Sequence, residues 1–199
     1  MRKLAGLRLH AAALILLLGG GVGAACSSGD AGERPARRPA GYFDAPALLD
    51  AQVRQLEQQR PVLEKQVRLR DGKQETVRLS LPDWADELQL FYQADINKPA
   101  LRGAYEVQTT DSAGLTRRVY RRHTEVDHPV TELTVLQSGP TVRELRATVD
   151  QANPLFFSGK RLHLRFGPDG ALSSYEVLGR QKLVGFDTTR YVARGRVVR

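Results

Sequence analysis

Apolar and polar residues alternate along most of the chain after residue 61, which is the pattern of half-buried β-strands. In the segment "VLEKQVRLRDGKQETVRLSL" (62–81), the apolar residues at 63, 67, 69, 77 and 79 are all odd-numbered. A three-residue loop at 70–72, with Gly72 in a left-handed conformation, keeps them on one face of a hairpin. A two-residue turn at Asp71-Gly72 would instead place Val67 opposite Thr76. The parity therefore favours the three-residue loop.

Seven further strands are predicted around turn signals at "DSAG" (111–114), "SGPT" (138–141) and "GPDG" (167–170). They cover residues 104–110, 116–125, 131–137, 142–149, 161–166, 172–178 and 189–197. Short connections of this kind favour antiparallel pairing. The sequence thus predicts an α+β fold: a curved antiparallel sheet or partial barrel of about nine strands, with two N-terminal helices on one face.

The first predicted helix follows residue 43. Asp44 is positioned as an N-cap, Pro46 lies in the first turn, and Pro61 ends the helix. Its apolar stripe has helical spacing and consists of Leu49, Val53 and Leu56.

A second short helix is predicted within "SLPDWADELQLFYQADINKP" (80–99). Ser80, with Asp83 three residues later, resembles a capping box. Trp84, Leu88 and Phe91 form the apolar stripe of this helix. Two interpretations of Trp84 and Phe91 stay open: they belong to the core, or they cover a ligand cavity in the sheet.

The N-terminus has the composition of a secretory signal peptide at residues 1–25. Basic residues at 2, 3 and 8 precede or flank the apolar run "AAALILLL" (11–18), and small residues follow. A transmembrane anchor is the alternative, but residues 11–25 rise only about 22 Å as a helix, against a hydrocarbon core of roughly 30 Å. The signal peptide is the favoured interpretation.

Cys26, the single cysteine, directly follows this segment. "GAAC" (23–26) resembles the lipobox of bacterial lipoproteins, although Gly23 stands where that family prefers Leu, Val or Ile. The resemblance implies that Cys26 is acylated and becomes the mature N-terminus. Residues 27–41 contain no large apolar side chain. Together with Cys26 they are interpreted as a flexible tether, residues 26–41. Residues 42–199 form the predicted single α+β domain.

Charge and cysteine content refine this picture. The chain has 30 basic and 22 acidic residues, a net charge of +8, and removing the three basic residues of the leader lowers this to +5. A single cysteine allows no internal disulfide, so the fold depends on its hydrophobic core. Arginines cluster in "RRVYRRH" (117–123) and "RYVARGRVVR" (190–199). Because the signal peptide argues against nucleic acid, these clusters indicate a solvent-exposed sheet face or a contact with anionic lipid or polysaccharide.

The best candidate for a metal site is "HTEVDH" (123–128), where His123, Glu125, Asp127 and His128 lie close in sequence. On one strand, residues i, i+2 and i+4 span about 13 Å, which is too long for one small ion without a bend. A solvent-exposed face leading into a turn is the favoured interpretation. No nucleophile motif or paired-carboxylate motif is present. The sequence therefore predicts no cofactor and argues against an enzyme more than for one.

Residues 83–107 contain an Asp-Trp pair (83–84) and a "DINKP" turn (95–99), and residues 175–197 contain a "GxQK" motif (179–182). Together with residues 153–166, these segments resemble a family of uncharacterised envelope lipoproteins from Bacteroidota. The resemblance implies an envelope lipoprotein and no catalytic residues. Gly179, Gln181 and Lys182 match the last motif and are expected to shape a turn, with a binding edge as the alternative.

The predicted function is that of a non-enzymatic binding or assembly module, held at the membrane through acylated Cys26. Its partner is expected to be an envelope protein, a lipid or a glycan, and no nucleic acid. The alternatives are a cavity protein resembling periplasmic lipid carriers, or a metal-dependent hydrolase on the same tether. Localisation in the cell envelope is expected, at the outer membrane rather than the inner.

Overall fold

The computed structural model describes residues 41–68 and 72–199. These residues form nine β-strands: β1 Val62–Arg68, β2 Gln74–Leu79, β3 Tyr105–Ser112, β4 Leu115–Arg122, β5 Val130–Ser138, β6 Thr141–Ala152, β7 Phe156–Phe166, β8 Leu172–Leu183 and β9 Thr189–Val198. Helix α1 covers Ala45–Gln59 and helix α2 covers Trp84–Leu88. Two 3₁₀-helices follow α2, at Gln89–Ala94 and Pro99–Leu101.

All nine strands belong to one antiparallel sheet with the order β2-β1-β9-β8-β7-β6-β5-β4-β3. Strands β3 to β9 follow chain order, and β9 then pairs with β1, so the first hairpin extends the sheet beyond the last strand. Within the described residues, β2 and β3 are edge strands that do not pair with each other. The sheet is therefore not closed, and the predicted nine antiparallel strands are confirmed.

The first hairpin has the register expected of a three-residue loop. Leu63 lies opposite Leu79 and Val67 lies opposite Glu75, so odd positions pair with odd positions. Gly72 has a φ of 78°, in the left-handed region that favours glycine. The rest of the predicted loop, residues 70 and 71, lies outside the described part of the chain, as does Leu69 before it.

The helices begin at aspartates. The Asp44 carboxylate accepts a hydrogen bond from the Ala47 amide at 3.0 Å, as predicted for the N-cap of α1. In α2 the cap is Asp83, whose carboxylate accepts from the Asp86 amide at 3.0 Å. The predicted capping role of Ser80 was wrong, because Pro82 separates it from a helix that begins only at Trp84. The first helix precedes the sheet, whereas α2 lies between β2 and β3.

Register and burial divide the positions of the sheet into two sets. One set, the core face, contains the row Lys65, Gly195, Tyr175, Leu164, Leu145 and Val135 and the positions two residues before and after these. Most of its apolar side chains are fully buried, including Leu63, Leu133, Leu145, Leu162 and Leu164. The other set, the open face, contains the row Glu64, Arg196, Ser174, Arg165 and Glu144 and the positions alternating with the core face.

The segment around α2 contacts residues of the core face. The Glu87 carboxylate receives hydrogen bonds from Lys65 Nζ at 2.7 Å and from the Tyr175 hydroxyl at 2.7 Å. The Phe91 ring packs edge-on against the Tyr175 ring, with centroids 5.7 Å apart. Burial and this hydrogen bond raise the pKa of Tyr175, so its hydroxyl stays a donor. A buried polar contact thus fixes α2 over β1 and β8.

Four strand boundaries differ from the predicted ones by three or more residues, and one of them is the end of β6, at Ala152 rather than at 149. Strand β4 ends at Arg122 rather than at 125, because the residues after His123 form a turn in which the Val126 amide donates to the His123 carbonyl. Strand β7 begins at Phe156 instead of 161, and β8 continues to Leu183 instead of 178. The added residues of β7 pair with the added residues of β8, for example Phe156 with Leu183. This pairing extends both strands into segments whose apolar and polar residues do not alternate regularly.

Candidate functional site

The open face is rich in arginine. Eleven arginines occupy its register positions, and all eleven are exposed: Arg68, Arg78, Arg117, Arg121, Arg146, Arg161, Arg165, Arg180, Arg190, Arg194 and Arg196. They come from β1, β2, β4 and β6 to β9. Alternation along each strand places them on this one face, and the antiparallel register brings six of them together on β7, β8 and β9.

Several of these arginines are paired with carboxylates on neighbouring strands. Arg194 Nε lies 2.5 Å from Glu176, and Arg121 Nε lies 3.2 Å from Glu132. Arg196 forms an ion pair with Glu64, and the Arg196 guanidinium lowers the pKa of that carboxyl. These three arginines are half or more exposed, so the pairs contribute little to stability but neutralise charge locally.

A second group of arginines surrounds a hollow of about 370 Å³ above Gly159. Arg161, Arg180 and Arg190 line it, together with apolar residues from β8 and β9. Among the described residues, no carboxylate oxygen lies within 4.0 Å of any of these three guanidinium groups. Asp150 is the one acidic residue in the lining. The hollow therefore carries a net positive charge.

Gly159 lets neighbouring side chains approach the backbone at the edge of this hollow. A Cβ at this position would lie 2.8 Å from Asp150 Oδ1 and 2.9 Å from Arg180 Nε, so both side chains lean over the bare backbone. Arg180 is also held over the Phe157 ring, 4.7 Å from its centroid. This contact orients the guanidinium without neutralising it. An anion in the hollow would meet the planar guanidinium groups of Arg161, Arg180 and Arg190, which suit carboxylates, sulfates and phosphates.

A comparable hollow of about 350 Å³ lies over β1, β8 and β9. It contains Arg165, Arg194 and Arg196, but also Glu64 and Glu176. Two of its three arginines are paired with these acids. The hollow above Gly159 is the better anion site for this reason.

His163 lies on the open face between the two hollows. Its Nε2 is 3.3 Å from Arg146 Nε and 3.4 Å from the Glu144 carboxylate. Burial is the main cause that lowers the pKa of His163, followed by the nearby Arg165 and Arg146, while Glu144 acts in the opposite direction. The neutral imidazole is thus favoured in the folded protein.

The candidate metal ligands are not on one strand. His123, Glu125, Asp127 and His128 all follow the end of β4 and lie in the connection to β5. Within the part of the chain that the structure describes, no group of three or more His, Cys, Asp or Glu residues could hold a metal ion. His128 instead contacts Tyr105, with Nδ1 2.8 Å from the hydroxyl, and Arg122 donates to the His128 carbonyl. Burial lowers the pKa of His128.

Trp84 and Phe91 are core residues, 2% and 1% exposed. Neither lines the hollow above Gly159. The core interpretation of these residues, one of two that the sequence left open, is the one consistent with their burial.

Gly179, Gln181 and Lys182 lie inside β8, so the expectation that they shape a turn was wrong. The strand runs through them because it pairs with β7 up to Leu183. Gly179 is required by packing: a Cβ there would lie 2.1 Å from the Tyr191 ring, which covers the glycine from β9. Gly179 lines the hollow, while Gln181 and Lys182 are exposed near the end of β8.

Cys26 lies outside the described residues, as do the predicted signal peptide and most of the tether. In the described ranges, no helix is long and apolar enough to cross a membrane.

Sequence reasoning identified arginine clusters but missed the residues around Gly159. Arg161 and Arg180 do not belong to an arginine cluster in the sequence. The start of β7 and the end of β8, where they lie, were also predicted at the wrong residues. The alternation "KRLHLRF" (160–166) carried the relevant signal, because it assigns Arg161, His163 and Arg165 to one face. The pairing of β7 with β8, and of β8 with β9, was the missing information.

The chain matches no protein-family model, no curated protein and no solved structure.

Proposed function

We propose that this protein is a lipid-anchored envelope lipoprotein that acts as a non-enzymatic binding module, and that the open face of its sheet binds an acidic glycan. The observation that carries this proposal is the hollow above Gly159 with its three arginines free of ion pairs among the described residues. Anchoring through acylated Cys26 and a position at the outer membrane are parts of the same proposal.

An extended acidic glycan suits the spacing of these charges. Neighbouring strands lie about 4.8 Å apart, and alternate residues on one strand lie about 7 Å apart. Arg161, Arg180 and Arg190 on three adjacent strands therefore offer guanidinium groups over a band of roughly 10 Å by 7 Å. Arg165 continues the band along β7. A chain of carboxylated or sulfated sugars can contact several such groups at once, whereas a small anion contacts one or two.

The proposal also requires that one face of the sheet is left uncovered. We infer that the helical segments cover the core face alone and that the sheet is curved. The contacts of Phe91 with Tyr175, Gln93 with Lys160 and Tyr42 with Tyr105 support the first point, since all three partners occupy core-face positions. Irregularities in register between β5 and β6, and between β7 and β8, support the second.

The glycan proposal is tested by binding to alginate, a polyuronate, with neutral dextran as the control polymer. The triple variant Arg161→Gln/Arg180→Gln/Arg190→Gln should lose affinity by about tenfold or more, since each charged hydrogen bond contributes about 1.5–3 kcal/mol before solvent screening. The charge-matched control Arg54→Gln/Arg102→Gln/Arg118→Gln removes three exposed arginines from other positions. Equal losses in the two variants would show a general charge effect and contradict the proposed site.

The anchoring part has a separate test. The mature protein should begin at Cys26 and carry acyl chains, which intact-mass measurement of the membrane-extracted protein detects. Cys26→Ala should leave the chain unprocessed or release it from the membrane. A membrane-extracted species with an unmodified Cys26 thiol would refute the lipoprotein assignment without affecting the glycan test.

A further inference from the structure

Four large apolar side chains are exposed together at one end of the sheet. Leu155 is 71% exposed, Leu183 55%, Val184 65% and Phe186 71%. Leu155 lies in the β6–β7 connection, and the other three lie at the end of β8 and in the connection to β9. We call these four residues the apolar tip. Single exposed apolar residues are ordinary, but a group of four on adjacent connections indicates a contact surface.

The apolar tip is a built feature of the fold. The Val184 amide donates to the Leu155 carbonyl at 3.0 Å, which joins the two connections directly. The Asn153 side chain accepts from the amides of Leu155 and Phe156 at 2.8 and 2.9 Å. The Phe186 amide donates to the Leu183 carbonyl at 3.1 Å. Hydrogen bonds thus fix the backbone of both connections, while the four apolar side chains remain exposed to solvent.

Basic residues flank the apolar tip. Lys182 precedes it on β8, and Arg180 and Arg190 lie at the adjacent ends of β8 and β9. The one acidic residue between Val184 and Thr188, Asp187, already makes an interaction within the chain. An apolar surface with a cationic border matches the interface of an anionic bilayer, where acyl chains lie beneath negatively charged headgroups.

The chain enters the domain at the same end of the sheet. Tyr42, at the start of the described residues, packs against Tyr105, and its hydroxyl accepts from the Tyr105 amide at 3.0 Å. Tyr105 begins β3, and the start of β3 is level with the end of β6, the start of β7 and the end of β8. Four strand spacings, about 20 Å, separate β3 from β7. Cys26 lies 15 residues before Gly41, so an acylated Cys26 would tether this end of the sheet to the membrane.

We infer that the apolar tip inserts into the interface of an anionic phospholipid bilayer and orients the domain on the membrane. The occupant is a lipid surface, because the cationic border and the entry point of the chain both favour it. One membrane contact through lipid chains and a second through the apolar tip would restrict the domain to one orientation. The inference rests on the membrane anchoring in the proposed function. Its cationic border shares Arg180 and Arg190 with the proposed glycan hollow, so insertion and alginate binding are measured separately.

Two single variants of the full chain test this inference by fluorescence. Phe186→Trp puts an indole in the apolar tip, and Leu81→Trp puts one at an exposed position near the other end of the sheet, where Leu81 is 78% exposed. The native Trp84 is buried in the core and contributes equally to both variants. Each variant is mixed with vesicles of phosphatidylglycerol and phosphatidylcholine whose acyl chains carry bromine, which quenches indoles located in the bilayer.

Insertion should quench the added fluorescence of Phe186→Trp by roughly half or more and leave that of Leu81→Trp nearly unchanged, because an inserted apolar surface reaches about 5–10 Å into the interface. Leu155→Ser/Val184→Ser added to Phe186→Trp should abolish the quenching. Replacing phosphatidylglycerol by phosphatidylcholine should weaken it severalfold.

Three results would overturn the inference. Vesicles that float with bound protein but quench neither variant would leave the anchor intact and refute insertion. Equal quenching of both variants would show unoriented association. A concentration-dependent emission shift of Phe186→Trp without vesicles, accompanied by a larger mass in solution, would show that the apolar tip joins two copies of this chain. Alginate binding by the same variants reports separately on the proposed function.

Discussion

The core face and the open face consist of alternate residues of the same strands, but they differ in the side chains that lie over their glycines. On the core face, the Tyr175 ring covers Gly195 and the Tyr191 ring covers Gly179, so rigid aromatic groups fill the space that a glycine leaves. On the open face, Gly159 is approached by the flexible side chains of Asp150 and Arg180 and by the edge of the Phe157 ring. Glycines therefore lie beneath packed rings on one face and mainly beneath flexible side chains, beside a hollow, on the other. A change to the core face should cost stability, whereas a change to the open face should alter binding.

The largest expected effect comes from removing the most buried aromatic side chain of α2. Trp84→Ala should destabilise the protein by about 3–5 kcal/mol, because it deletes a fully buried ring from the core beside Leu88 and Phe91. The midpoint of urea unfolding measures this effect. Leu81→Ala, three residues earlier and 78% exposed, is the control and should leave the midpoint nearly unchanged.

The alternative role of Trp84 as the cover of a lipid cavity leads to a different result. In that case Trp84→Ala would keep its unfolding midpoint but lose a lipid that co-purifies with the wild type. Mass spectrometry of an organic extract of both proteins detects such a lipid. This outcome would contradict the division between a packed face and a binding face.

A matched pair of glycine substitutions tests the comparison directly. Gly195→Ala places a Cβ 2.2 Å from the Tyr175 ring, and Tyr175 cannot move without breaking its hydrogen bond to Glu87. This variant should lose about 1–3 kcal/mol. Gly159→Ala meets only the ends of flexible side chains and the Phe157 ring edge at 3.0 Å, so we expect it to lose less than about 1 kcal/mol.

Binding should respond in the opposite order. Gly159→Ala fills part of the hollow and should weaken alginate binding severalfold, while Gly195→Ala should leave the affinity of the folded fraction unchanged. Urea unfolding gives the stability of each variant, and alginate titration gives its affinity. A Gly159→Ala protein that binds like the wild type would mean that the hollow is not the glycan site.

The parts of the fold that depend on local pattern were predictable from the sequence. Alternation gave the number of strands, and the parity of the first hairpin gave its register, with Leu63 opposite Leu79. Asp44 was identifiable as a cap because a polar side chain directly precedes a helical stripe. The strand order was not predictable, since the pairing of Val62 with Val198 joins residues more than a hundred positions apart without a local signal.

The candidate site was predictable only in its residue type. The arginine clusters at 117–123 and 190–199 indicated a basic exposed face, and Arg190 belongs to the hollow. Gly159 and Gly179 could not be interpreted, because a glycine within a strand looks like a turn signal until the side chain that covers it is known. Tyr191 covers Gly179 from the next strand, and the register between β8 and β9 determines that contact.

The smallest expected effect concerns His163, the titratable residue of the open face whose pKa is lowered mainly by burial. Because the folded protein favours the neutral imidazole, the unfolded chain binds more protons just below the ordinary pKa of 6.5. Stability should be full above that pH and should fall as the pH decreases, with a slope below about 1.4 kcal/mol per pH unit for one proton. His128 contributes in the same direction, since its pKa is also lowered by burial.

Alginate binding should change in the opposite direction to stability over the same pH range. Protonation of His163 adds a positive charge beside Arg146 and Arg165, so alginate should bind more tightly as the pH falls from 7.5 to 5.5. His163→Gln should flatten the binding curve and reduce the slope of the stability curve, to which His128 still contributes. His123→Gln, in the turn after β4, should leave the binding curve unchanged. Urea unfolding and alginate titration at several pH values provide the measurements. If the His163→Gln protein still binds alginate more tightly at low pH, the titrating group lies elsewhere. The proposed role of His163 in the pH dependence of binding would then be wrong.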